Sequence, residues 1–133
     1  MAYTSANLMS IDHISAVTIA VADMARALAF YEKCGFEILY GGADADFTSL
    51  RAGPGYVNLI LQRGYSGRWW GRTIFRVDSA DGQYRRLVDA GLKPDSEPEN
   101  APWGERYFHI SDPDGHELSF AELLSDSRGQ SEK

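Results

Sequence analysis

The stretch 16-AVTIAVADMARALAFYEKCG-35 and the stretch 72-RTIFRVDSADGQYRRLVDAG-91 are one pattern written twice, 56 residues apart. In the first, Val17, Ile19 and Val21 alternate with Ala16, Thr18 and Ala20. Period two predicts a strand with one buried face. Asp23 suits a helix N-cap and Gly35 the left-handed residue just past a helix end. Between them Met24, Ala27, Leu28 and Tyr31 recur at helical spacing. In the second, Thr73, Phe75 and Val77 alternate with Arg72, Ile74 and Arg76, Ser79 caps, and a helix carrying Tyr84, Leu87 and Val88 stops at Gly91.

Strand signals follow each helix. In the first copy they cover 36–40, 47–50 and 56–62; in the second, 92–96, 106–111 and 117–121. Ala52-Gly53-Pro54-Gly55 and Asp112-Pro113-Asp114-Gly115 read as hairpin turns, since Pro presets φ and Gly accepts positive φ. Here the repeat offset grows to 59, pairing Leu59 with Leu118 and Leu61 with Phe120, and three extra residues around 97–105 would account for it. The order βαβββ twice predicts an α+β domain over 1–133, with a first module at about 12–63, a second at about 70–123 and a polar tail, 125–133, expected to be disordered. A helix covers only one face of each sheet. The other face must close against the second module or another chain, giving a curved mixed sheet around a cavity.

The net charge of −6 argues against nucleic acid, which needs a basic face. No apolar run reaches the ~18 residues of a membrane span. The N-terminal ten residues carry no basic-then-apolar signal, so a cytoplasmic location is expected. Cys34 is the single cysteine, which excludes an internal disulfide. At a helix C-terminus, where the dipole raises a thiol pKa, it is not expected to be a nucleophile.

Val21-Ala22-Asp23-Met24, Phe30-Tyr31-Glu32-Lys33-Cys34-Gly35-Phe36 and Asp112-Pro113-Asp114-Gly115, in this order on a 56-residue repeat, resemble the glyoxalase/bleomycin-resistance/extradiol-dioxygenase (vicinal oxygen chelate) superfamily over about residues 12–123. The resemblance implies four inward-facing positions that hold His, Glu or Gln in metal-dependent members. Here they fall on Ala16, Ile60, Arg72 and Ser119. Two have no donor atom, neutral serine is a poor ligand, and arginine brings a fixed positive charge, so neither a metal nor another cofactor is expected.

With Ala16 and Ser119 facing the cavity, strand parity adds Thr18, Ala20, Asn58, Ile60, Gln62, Arg72, Ile74, Arg76, Glu117 and Ala121 to that face. The expected ligand-binding residues are Tyr40, Phe47, Asn58, Trp69, Trp70, Arg72, Trp103, Arg106, Phe108 and Ser119, with the tryptophans as a stacking wall or as core or dimer packing. Arg72 needs a partner in Glu117, Glu105 or an acidic ligand. His109 is assigned to the helix side, His116 to an exposed hairpin end, and Arg76 to solvent at a strand end.

Two function classes follow. One is a metal-independent protein that sequesters or carries a planar or apolar small molecule, as bleomycin-resistance-like members do. The other is a lyase, isomerase or dioxygenase of the same superfamily, acting on a small carbonyl or aromatic substrate with a non-standard or absent metal site; a metal-free enzyme could use Glu117 as base and Arg72 as an oxyanion clamp. A third possibility is an interaction protein with a vestigial pocket. The acidic composition suits a cationic ligand and the cavity arginines an anionic one, a conflict the sequence leaves open. A homodimer is expected from the open sheet faces.

Overall fold

The computed structural model describes residues 10–124; the tail at 125–133 and the first nine residues lie outside them. The elements run β1 (Ala16–Val21), α1 (Met24–Cys34), β2 (Ile38–Tyr40), β3 (Phe47–Ala52), β4 (Gly55–Leu61), β5 (Arg72–Arg76), α2 (Ala80–Asp89), β6 (Glu99–Ala101), β7 (Glu105–Ser111) and β8 (Glu117–Leu123). They form two four-stranded sheets of identical order, β1-β4-β3-β2 and β5-β8-β7-β6, each with its outermost long strand paired parallel and the rest antiparallel. This is the duplicated α+β architecture read from the repeat. The first strand after α2 differs: Pro94 removes a backbone donor from 92–96, and β6 forms just beyond Pro98. Residues 95 and 96 still touch β7, through Asp95 N–H to the His109 carbonyl and His109 N–H to Ser96 Oγ.

Both helices start where expected. Asp23 is extended and its carboxylate accepts from Arg26 N–H, while Ser79 Oγ accepts from Gly82 N–H. Gly35 ends α1 at φ 106°, a conformation that disfavours side chains, and a Cβ there would collide with the Arg86 guanidinium. The close approach marks the seam between the two helices, where Gln83 also donates to the Cys34 carbonyl.

The inner faces of both sheets meet in one core. Ile19, Val21, Leu50, Val57 and Leu59 from the first module join Phe108, Ile110, Leu118 and Phe120 from the second. Burying each is worth about 1.5–3 kcal/mol. Helix α1 lies between, burying Met24, Ala27, Leu28, Phe30, Tyr31 and Cys34. Phe36 meets Phe75 edge-on across the seam, 5.0 Å between centroids.

Register refines the repeat. Thr18 lies opposite Asn58 and Ile74 opposite Ser119. Since Thr18 and Ile74 are 56 apart, the counterpart of Ser119 is Asn58 rather than Ile60. The strands place the extra residues. Ser49 lies opposite Asn58 and His109 opposite Ser119, so β3 and β7 are already 60 apart. Four extra residues therefore lie between Gly91 and β7, the stretch that includes 97–105, and the turn adds one: four residues, 52–55, separate the paired Arg51 and Tyr56, and five, 112–116, separate Ser111 from Glu117. Parity is unchanged, so Ala16, Thr18, Asn58, Ile60, Arg72, Ile74 and Ser119 all keep the outer face.

Those turn residues join the modules. The Asp114 carboxylate accepts from Ala22 N–H and from Arg26, at 3.0 and 2.9 Å, so it binds the start of α1. Asp112 accepts from Asp114 and His116 N–H on one oxygen and from the buried Tyr31 hydroxyl, at 2.7 Å, on the other. Burial, then the neighbouring Asp112 carboxylate, holds the Tyr31 phenol well above its usual pKa, so it remains a donor. Tyr31→Phe strands one Asp112 oxygen in the core. Unfolding in urea is expected to show a loss of about 2 kcal/mol; a change under ~0.5 kcal/mol would remove this bond from the account of how the modules are held.

Candidate functional site

The outer face of the second sheet carries a cavity of about 150 Å³. Its floor is Ile74 with Ser119 and Ala121, and its sides are Arg72, Trp103, Glu105, Tyr107 and His109. All belong to the second module. Cross-strand pairing places them: Ser119 sits between Ile74 on β5 and His109 on β7, and Ala121 between Arg76 and Tyr107. Ile74 is exposed despite its apolar side chain, and Trp103 stacks on Tyr107 at 6.2 Å.

Two matching clusters flank this floor. Glu117 receives the Trp69 indole N–H on Oε1 and Arg72 on Oε2 at 3.2 Å. Glu105 receives the Trp103 indole N–H on Oε1 at 2.9 Å and Arg76 on Oε2 at 3.3 Å. The Arg72 guanidinium also stands over the Trp69 ring, 5.7 Å from its centroid. Arg76, assigned to solvent by sequence, is thus part of an ion pair. Between the clusters His109 Nδ1 meets Ser119 Oγ at 2.5 Å and lies 3.7 Å from Glu117 Oε2.

Of the expected binding residues, Trp69, Arg72, Trp103 and Ser119 gather here. Tyr40, Phe47 and Asn58 lie on the first sheet's outer face, where Tyr40 and Phe47 are exposed; Asn58 accepts from Ser49 Oγ and donates to Thr18 Oγ1, joining three strands. Three others need correction. Phe108 pairs with Phe120 on the inner face and is 0 % exposed, so it is core. Arg106 shares that parity and reaches Asp81 and Asn100 instead. Trp70 leaves the face altogether and donates to His116 Nδ1 at 2.8 Å. His116 itself is buried, its Nε2 bonded to the Ala20 carbonyl, and not exposed. His109, assigned to the helix side, lies on the cavity face. Together with Tyr107 it is what the sequence reading missed, and counting strand parity back from Ser119 through a five-residue turn would have found both.

A wider open groove of about 410 Å³ follows the seam, where Phe36 and the Gly53-Pro54 turn approach β5. Two of its arginines are already paired, Arg51 with Glu37 and Arg76 with Glu105. Burial pushes the Cys34 thiol in its wall up to about 12, so it is not a nucleophile there.

The donor set does not fit a divalent cation. Ala16 and Ile60 offer nothing, Asn58 and Ser119 are neutral and already hydrogen-bonded, and Arg72 places positive charge beside the Glu117 carboxylate. Among the described residues no three His, Cys, Asp or Glu side chains cluster as a metal site would require. Glu117 is also a weak base. Burial works against its charge, but the Trp69 hydrogen bond and Arg72 outweigh that and hold its carboxyl below the usual range.

The glyoxalase/bleomycin resistance protein/dioxygenase superfamily model matches residues 10–120. A member of that superfamily from Sphaerobacter thermophilus is 29% identical, covers 86% of this chain and 99% of its own, and superposes with a TM-score of 0.69. The bleomycin resistance determinant encoded on transposon Tn5 shows 24% identity, 84% and 98% coverage and a TM-score of 0.70. Lactoylglutathione lyase from Agrobacterium tumefaciens shows 18%, 85%, 95% and 0.70. No functionally curated protein matches the chain in sequence.

A depressed carboxylate stabilises the fold above its unfolded pKa, near 4.3, and that contribution disappears as pH falls through the lower folded value. Below about pH 4.5, wild-type stability is therefore expected to fall more steeply with pH than that of Glu117→Gln. Parallel slopes in acid-range urea titrations would show that the Trp69–Glu117–Arg72 cluster contributes nothing.

Proposed function

The chain belongs to the glyoxalase/bleomycin resistance protein/dioxygenase superfamily, and from that premise we propose that it is a metal-independent small-molecule binding protein that sequesters or carries a planar or apolar ligand in the cytoplasm. The observation that carries this reading is the outer face of the second sheet. It offers an apolar floor at Ile74 and Ala121 and an aromatic wall at Trp103 and Tyr107, with arginine where an ion would need a ligand. A flat ring laid on Ile74 against Trp103 removes apolar surface from water on both of its faces. The enzymatic alternative draws no support from its two candidate residues, because Glu117 and Arg72 are bound to each other and Glu117 has lost basicity.

The tryptophan wall makes the binding visible. Titration with planar antibiotics and aromatic metabolites is expected to give saturable fluorescence quenching that Trp103→Ala weakens about tenfold, or roughly 1.4 kcal/mol. Chelator treatment leaves it unchanged. Binding that vanishes with chelator and returns with a divalent ion would refute the reading.

The first sheet's outer face exposes Tyr40, Phe47, Tyr56 and Ile60, none of which lines the second-module cavity. We assign this face to a second copy of the chain in a homodimer. Phe47→Lys is expected to shift sedimentation from dimer to monomer; a monomeric wild type ends the assignment.

A further inference from the structure

We propose that the second-module cavity selects planar ligands without net charge that carry a phenol or ring N–H donor, and that His109 is the residue that reads that donor. The inference rests on the binding function proposed above and goes further, to the ligand's chemistry.

Charge selection follows from the two flanking clusters. Both arginines on this face of β5 are paired, Arg72 with Glu117 and Arg76 with Glu105. Each carboxylate also receives an indole N–H on its other oxygen. Two positive and two negative charges cancel within the wall. A ligand carboxylate must displace a glutamate to reach an arginine, and a ligand ammonium must displace an arginine to reach a glutamate. Either exchange removes one ion pair for each it forms, while the ligand still loses its hydration. The acidic composition of the chain and the arginines of the cavity therefore do not pull towards opposite ligands, because locally neither charge is free.

What remains is a neutral polar pair. Ser119 is buried and its hydroxyl is engaged by His109. The His109 side chain is 24% exposed. Its ring contacts with Ser119 and Glu117 both run through Nδ1. The proposed recognition uses the tautomer with its proton on Nδ1, the nitrogen beside Ser119 and Glu117, so that Nε2 is the acceptor His109 offers to the cavity it lines. Tyr107 packs 5.2 Å from the imidazole, and Trp103 stacks on Tyr107, so a ring laid against this wall brings an O–H or N–H on its edge towards His109. A site built to hydrogen-bond a donor rejects the analogue lacking it, because its own polar atom is then left unpaired.

Four probes of one shape separate the claims: 2-naphthol, 2-methoxynaphthalene, 2-naphthoate and 2-naphthylmethylammonium, titrated into the ¹⁵N-labelled full chain while the indole N–H signals are followed. The expected result is saturable shifts with 2-naphthol, with each of the other three about tenfold weaker. His109→Phe removes the advantage of naphthol over its methyl ether, and His109→Gln, which keeps an acceptor, retains part of it. Tighter binding of naphthoate or of the ammonium overturns the neutral-ligand claim while leaving the pocket in place. An unchanged naphthol-to-ether ratio in His109→Phe overturns the role of His109. Failure of all four to bind overturns the pocket and this inference together.

Discussion

Everything in this molecule turns on two buried carboxylates in one turn. Asp112 and Asp114 belong to the second module by sequence, but one oxygen of each reaches the first: Asp112 accepts from the Tyr31 hydroxyl, and Asp114 from the Ala22 N–H and Arg26 of α1. Such groups are costly to bury unless satisfied, and one oxygen of Asp114 has no partner among the described residues. The geometry is held because each of the other three oxygens finds a donor, one of Asp112 within the turn itself and the remaining two from the first module. The same turn sets where β8 begins. Asp112 accepts the His116 N–H, and His116 then bonds the Ala20 carbonyl of β1 and accepts the Trp70 indole. Glu117 and Ser119 follow immediately, so the staple between modules also fixes the height of the cavity floor.

The two outer faces share one strand order and satisfy their polar groups differently. On the first, Ser49, Asn58 and Thr18 form a neutral chain across β3, β4 and β1. On the second, ion pairs and indole donors surround an apolar strip. Asn58 and Ser119 are register counterparts, yet Asn58 is consumed by its neighbours while Ser119 is turned to a histidine. The second face therefore combines an apolar floor with a histidine on its wall, although the backbones are equivalent.

Much of this was legible in the residues. The 56-residue repeat, both helix caps and the assignment of outer and inner faces depend on local rules, and period two is unforgiving: Val17, Ile19 and Phe75 had one face available to them. The site was less legible because it depends on a turn. Whether His109 shares a face with Ser119 is decided by the number of residues in the loop between their strands, and a five-residue loop brings them opposite each other. The same count sends Phe108 to the core and Arg106 to Asp81. The identity of Arg72's partner was narrowed to three candidates by charge alone, but choosing Glu117 needed the parallel pairing of β5 with β8. Pro94 was plain in the sequence, and its cost to a strand at 92–96 follows from the missing N–H group.

Arg72 stands where the resemblance would place a metal ligand, and that one residue alters what the face can recognise. A carboxylate such as Glu117 on a partly covered sheet requires a positive partner. A bound divalent ion can supply it and still present open coordination positions to a substrate. A guanidinium supplies it as well, but with its donors directed at the carboxylate and its charge fixed. The face then carries its own counter-charge permanently and has no position left at which a substrate oxygen could be polarised by a metal. Under the proposed function, recognition falls to what is neither neutralised nor buried: the surfaces of Ile74, Trp103 and Tyr107, and the ring of His109. In the binding function proposed for this face, arginine at that position does more than exclude an ion: it leaves discrimination to shape and to neutral hydrogen bonds.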